Sequence, residues 1–203
     1  AFYVLLDGFD LGIGILFPFS PAEEDRDVMM NSVAPFWDGN QTWLVLGGAG
    51  LLAAFPLAYA VVLSALYLPL ILMLIGLIFR GVAFEFRFKA SAEKRGLWDL
   101  AFIGGSTLAT VFQGVILGAF INGVPMRDGQ YAGGAFDWLS AFSVFTGLGL
   151  LAIAAMSGAS IRIPRPLWVK VVLLALFNIA GWNGLLLFGV QQLPAGRSAI
   201  LAF

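Results

Sequence analysis

Leu57 to Arg80 reads LAYAVVLSALYLPLILMLIGLIFR. Twenty-three residues pass without a formal charge before an arginine closes the run. About 20 mostly apolar residues are enough to cross the hydrocarbon core of a bilayer as a helix, so this stretch predicts a spanning helix. The composition agrees. Of 203 residues, 60% are hydrophobic and 11% charged, and mean hydropathy is +0.92. A soluble domain carries about 25% charged residues, and no water-facing fold could hide this much apolar surface. The fold class is an all-α integral membrane protein.

Outward from that run, the same pattern predicts about six transmembrane helices, at roughly 1–19, 37–55, 57–79, 97–122, 136–157 and 167–190. Pro56, in AAFPLAY, separates the second from the third, because helix is disfavoured at the residue before a proline. The fourth ends at Asn122–Gly134, NGVPMRDGQYAGG, which is rich in turn residues. The chain starts inside an apolar run at Ala1 and its last residues look like the start of another helix. It therefore reads as part of a longer bundle, with 1–157 as one helical unit and 158–203 as a further helix and connection. Glycines at small-residue spacings, Gly8/Gly12, Gly114/Gly118 and the run Gly47–Gly50, suit close helix packing.

Nine of the eleven lysines and arginines fall in the connections after the first, third and fifth segments, and only Arg127 and Arg197 on the other side. The positive-inside rule places the nine in the cytoplasm and the start of the chain outside. Two absences restrict the chemistry. Without cysteine there is no disulfide, thiolate metal site or iron–sulfur cluster. Without histidine, imidazole-based copper and zinc sites are excluded, and a haem would have to be held by a partner chain. No basic cluster is long enough for a nucleic-acid footprint.

Ionisable groups inside a membrane are costly and mark candidate sites. Asp7 and Asp10, in LLDGFDLGIG, are three apart and share one helix face. That face must look into the bundle, at water or at a partner. A close carboxylate pair can hold and pass a proton, or it can be a structural pair bonded to a neighbouring helix.

Asp38 stands in Pro35–Leu44, PFWDGNQTWL, between Trp37 and Trp43. With Asn31, Ser32, Asn40, Gln41 and Thr42 it forms a polar funnel where a carboxylate could collect protons. Alternatively it caps the following helix. The two tryptophans also suit an interfacial belt. Arg80 is either an anchor at the membrane surface or a fixed charge paired with a carboxylate. Asp99 opens the fourth helix on the same side, and the two could pair across the loop. Glu85 and Arg87 read as solvated loop charges. Gln113, Asn178 and Asn183 read as single polar groups that bond across helices.

Three stretches carry a resemblance. YVLLDGFDLGIGILFPF from Tyr3, RDVMMNSVAPFWDGNQTWLVLGGAGLLAAFPLAYA from Arg26 and LPLILMLIGLIFRGVAFEFR from Leu68 resemble subunit II of the cytochrome bd-type quinol oxidases. WDLAFIGGSTLATVFQGVILG from Trp98 continues the likeness, to about Ser157. The resemblance implies one subunit of a terminal respiratory oxidase in a bacterial or archaeal cytoplasmic membrane, oxidising quinol and reducing oxygen to water. Haem b and haem d would lie in the partner, subunit I. Membrane lipids, small accessory transmembrane subunits and a bound quinone are further implied possibilities.

Carried over by position, Asp38 matches the proton-entry carboxylate, with Asp7 and Asp10 further along the proton pathway. Trp43 matches the tryptophan at the mouth of an oxygen channel. Asp10, Arg80 and Asp99 match charged positions that support the haem site. Two other classes compete: a proton-coupled secondary transporter using Asp7, Asp10 and Asp38, and a scaffold subunit with no part in proton transfer.

Overall fold

The computed structural model describes residues 2–158. The segment expected at 167–190, with Asn178 and Asn183, lies outside the described residues. Six α-helices account for most of the rest: α1 Phe2–Leu16, α2 Glu23–Val33, α3 Trp37–Ala54, α4 Pro56–Phe86, α5 Ala92–Asn122 and α6 Ala141–Gly158. A 3₁₀ turn at Phe17–Phe19 follows α1, and a two-stranded hairpin, β1 Met126–Arg127 and β2 Gln130–Tyr131, lies between α5 and α6.

Five of the six helices coincide with expected segments. Pro56 does separate α3 from α4, standing at the first turn of α4, where its missing N–H costs nothing. α2 and the hairpin are additions to the expected pattern. α2 opens with Glu23, Glu24 and Asp25, which complement the positive end of the helix dipole, and it buries Met30 and Val33. In the hairpin, Asp128 and Gly129 both have positive φ, 51° and 76°, as the two central residues of a tight primed turn require.

Among the described residues, α4 and α5 are long and apolar enough to cross a membrane. Each has 31 residues, about 46 Å at 1.5 Å per residue, and so outreaches the hydrocarbon layer. α1, α3 and α6 are shorter, at 15, 18 and 18 residues.

α4 packs along α5, α5 along α6, and α1 against both α5 and α6. Missing side chains permit the close approach. A Cβ on Gly76 would sit 2.8 Å from the carbonyl of Gly105, and one on Gly114 2.6 Å from the carbonyl of Thr146. α3 differs: it touches α1 and α4 but buries none of its 18 residues, and a Cβ on Gly47, Gly48 or Gly50 would meet nothing within 4 Å.

Candidate functional site

Asp7, Asp10 and Arg80 meet inside the bundle. Their periodicity brings the two aspartates onto the buried face of α1, and the last turns of α4 supply the arginine. Arg80 is fully buried, as is Asp7, and Asp10 is nearly so. Arg80 Nη1 donates to Asp7 Oδ1 at 3.2 Å, and Nη2 lies 3.8 Å from Asp10 Oδ2. Asn40, on α3, donates from Nδ2 to the same Asp10 oxygen at 2.7 Å. The guanidinium also rests 5.4 Å from the centre of the Phe84 ring. Gly105 makes room for Arg80, since a Cβ there would lie 2.7 Å from the Arg80 backbone nitrogen.

A second group of charges joins α2 to the ends of α4 and α5. Arg87 is almost fully buried and pairs with Asp99 on α5 and Asp27 on α2. Arg26 donates to Asp99 at 3.2 Å and to the Ser20 carbonyl at 2.8 Å. Both guanidiniums face the Phe17 ring, at 5.7 Å and 5.5 Å. Burial opposes the charge on Arg87, but the hydrogen bonds it donates to Asp27 and Asp99, with their negative charge, outweigh it and raise its pKa. Arg95 on α5 pairs with Glu23 on α2 nearer the surface.

With this geometry in place, the comparisons identify the family. The family model for "Cytochrome bd terminal oxidase subunit II" matches residues 1–163. The chain belongs to that family. "Cytochrome bd-I ubiquinol oxidase subunit 2" of Escherichia coli (strain K12) is 36% identical over 165 residues, covering 78% of this chain and 44% of the relative. "Probable cytochrome oxidase subunit 2" of Haemophilus influenzae is 37% identical over 166 residues, with the same coverage. "Cytochrome bd ubiquinol oxidase subunit 2" of Bacillus subtilis (strain 168) is 36% identical over 149 residues, 72% of this chain and 44% of that relative. The chain thus spans less than half the length of these curated relatives.

As a subunit II chain, it departs from several sequence expectations. Arg80 and Asp99 do not pair: Arg80 turns inward to α1, and Asp99 binds Arg26 and Arg87. Nor is Arg80 a surface anchor, since no part of it reaches the surface of the chain. Arg87 is no solvated loop charge but the most buried member of its cluster. Glu85 does stand exposed, paired with Lys89 one turn on.

Asp38 is in the first turn of α3, at its outer surface. The N-cap position belongs to Phe36, with no capping side chain, so Asp38 does not cap. Residues two apart on a helix point different ways, and it is Asn40, rather than Asp38, that reaches the buried aspartates. Trp43 is 44% exposed, whereas Trp37 turns in and stacks on Phe84 at 5.2 Å.

Sequence reasoning missed Arg87, Asp27 and Arg26. Their signal is a pairing between segments far apart in the chain, which no local pattern carries. Gln113 is buried as expected of a membrane polar group, but its Nε2 has no hydrogen-bond partner among the described residues. Also among the described residues, no group of three or more acidic, histidine or cysteine side chains is placed to hold a metal ion.

Proposed function

We propose that this chain is the subunit without haem ligands in a membrane-bound terminal oxidase. The oxidase oxidises quinol and reduces oxygen to water, and this chain helps to bring protons from the cytoplasm toward haems held by a partner subunit. Family membership supports the oxidase reading. A chain without histidine or cysteine suits an arrangement in which haem b and haem d are ligated elsewhere, their redox chemistry belonging to that partner. Six or more spanning helices, with the arginine-rich connections cytoplasmic, complete the reading.

The observation that carries the proton role is the buried Asp7–Arg80–Asp10 group with Asn40 at its edge. Two carboxylates beside one guanidinium leave one carboxylate charge uncompensated within the triad. Uncompensated charge is expensive in a membrane interior, and a proton is the smallest ion that removes it. The Tyr3 hydroxyl is close enough to Asp7 to donate to it, and Asp7 Oδ2 makes no other hydrogen bond among the described residues, so this carboxylate has capacity for a proton or a water. Asp38 serves as the collecting carboxylate at the surface, and Asn40 fixes Asp10 at the inner end of that entry. Asp10, Arg80 and Asp99 support the haem site by holding helices in place, Trp43 lines oxygen access, and a quinone and small accessory subunits complete the complex. None of these roles requires this chain to touch haem.

The test uses the full-length subunit in the complex purified from its host. Asp38→Asn and Asp10→Asn are compared with wild type for the reduced-minus-oxidised haem spectrum and for quinol-driven oxygen consumption against pH. We expect intact haem bands with turnover reduced roughly 100-fold, the low end for losing a positioned proton-transfer group. Wild-type turnover at every pH in both variants would leave a scaffold subunit. A preparation without haem or a larger partner polypeptide would revive the transporter reading.

A further inference from the structure

The Arg87 cluster sits apart from the buried aspartates, yet the chain connects them tightly. α2 runs into α3 through three residues. The Ala34 N–H donates to the Met30 carbonyl at 3.0 Å, the Phe36 N–H to the Val33 carbonyl at 3.0 Å, and the Asn40 N–H to the Phe36 carbonyl at 3.0 Å. There is no slack linker in which a displacement of α2 could be absorbed. Met30 and Val33, both fully buried, pack with Phe17, Ala83, Phe84 and Phe102. What fixes α2 therefore also fixes the first turn of α3, where Asn40 holds Asp10.

We propose that Arg87 is a positioning residue for proton entry: with Asp27 and Asp99 it clamps α2 to the ends of α4 and α5, and so holds Asn40 on Asp10. The inference rests on the proton-entry reading above. Every element around Arg87 takes part. α2 contributes Asp27 and Arg26, α5 contributes Asp99, the turn after α1 contributes the Phe17 ring, and the chain just beyond α4 contributes the Phe88 ring. The guanidinium's planar fork suits such a clamp, because separate N–H groups can reach carboxylates on two helices at once. A lysine could offer the charge but not the fork. The cluster also gives Asp99 a physical role, since it receives both arginines and acts on the rest of the protein through α2.

Arg87→Gln and Arg87→Lys are tested in the purified complex beside Asp27→Asn. The Asp27 side chain is 37% exposed, so its loss is the mildest way to open the clamp. Two quantities are read at equal haem content: hydrogen–deuterium exchange of 23–33 and of the first turn of α3, and the pH profile of quinol-driven oxygen consumption. In Asp27→Asn we expect exchange in 23–33 to rise roughly tenfold, as suits one lost charge-assisted bond. Turnover should fall at the alkaline end, where protons are scarce, and stay near wild type at the acid end. Arg87→Lys should lie between wild type and Arg87→Gln.

Unchanged exchange in Asp27→Asn overturns the clamp. Faster exchange with a wild-type pH profile overturns the positioning role. Should Arg87→Gln fail to assemble, Asp27→Asn decides alone. Failure of the proton-entry reading shows itself separately, as wild-type turnover in Asp10→Asn, while the exchange of α2 still reports on the clamp.

Discussion

The two ends of this bundle are held together by opposite means. Where α4 leaves the core, two arginines are buried and each is met by two carboxylates: Arg80 by Asp7 and Asp10, Arg87 by Asp27 and Asp99. Where α5 meets α6, near the hairpin, the described residues place no buried charge. There Gly114 and Gly118 lie against Gly147 and Ser143, and Trp138 packs on Ala65, Leu66, Val115 and Ala119. One end depends on side chains that must find a partner, the other on side chains that must be absent. The first arrangement costs desolvation and is kept where a charge has work to do. The second costs nothing in desolvation and serves packing.

The largest expected effect lies at the charged end. Arg80→Gln leaves two buried carboxylates without their cation, and removing one partner of a buried pair costs about 3–5 kcal/mol. The complex should lose its reduced-minus-oxidised haem signal at a clearly lower temperature in a thermal ramp. Adding Asp7→Asn to Arg80→Gln should recover part of the loss, because one of the stranded charges is gone. A single variant as heat-stable as wild type would mean that the carboxylates do not depend on Arg80.

Glycine sharpens the contrast from the other side. Gly114→Ala puts a methyl 2.6 Å from a backbone oxygen and 2.7 Å from the Gly147 Cα, and neither can rotate away. Overpacking of this kind costs about 1–3 kcal/mol. Gly104, on α5, has nothing within 4 Å of its would-be Cβ. Gly104→Ala should therefore stabilise by about 0.5–1 kcal/mol through helix propensity alone. Equal effects of the two substitutions on the thermal midpoint would show that glycine packing does not hold α5 to α6.

Much of this contrast is legible in the sequence, for reasons that follow its two mechanisms. Hydropathy is a local property, so α3, α4 and α5 can be found from their apolar runs, and Pro56 from its own backbone restriction. The shared face of Asp7 and Asp10 follows from helical periodicity, and the Gly114/Gly118 spacing from the same rule. Arg87 reads wrongly because its surroundings, FEFRFKAS, resemble any loop at a membrane surface. Its burial comes from Asp27, 60 residues earlier, on a helix whose short polar sequence gives no apolar signal. Asn40 stands out in the sequence only as one of several polar neighbours. Which of them turns toward Asp10 depends on the rotation of α3 against α1, and that is a tertiary fact. The Asp128–Gly129 dipeptide is a hairpin signal, but four strand residues make a weak pattern.

The smallest effect belongs to the loop beside the hairpin, which tests whether that end carries any electrostatic tension. Tyr131 donates its hydroxyl to the Gly134 carbonyl at 2.6 Å and lies 3.4 Å from Asp137 Oδ2, which in turn accepts the Gly134 N–H at 2.8 Å. Burial and the Asp137 charge together push the Tyr131 hydroxyl above its usual value of 10.0. A group whose folded pKa is raised lends stability that is complete below the unfolded value and is lost as pH rises through the folded one. The loop should therefore hold throughout the neutral range and loosen only in strong alkali. Tyr131→Phe should remove the alkaline step in tyrosinate absorbance attributable to this residue and cost about 0.5 kcal/mol, the low end for a neutral hydrogen bond. Oxygen consumption should be untouched. A change in turnover in Tyr131→Phe would mean that the hairpin end does more than pack, and the division of labour between the two ends would fail.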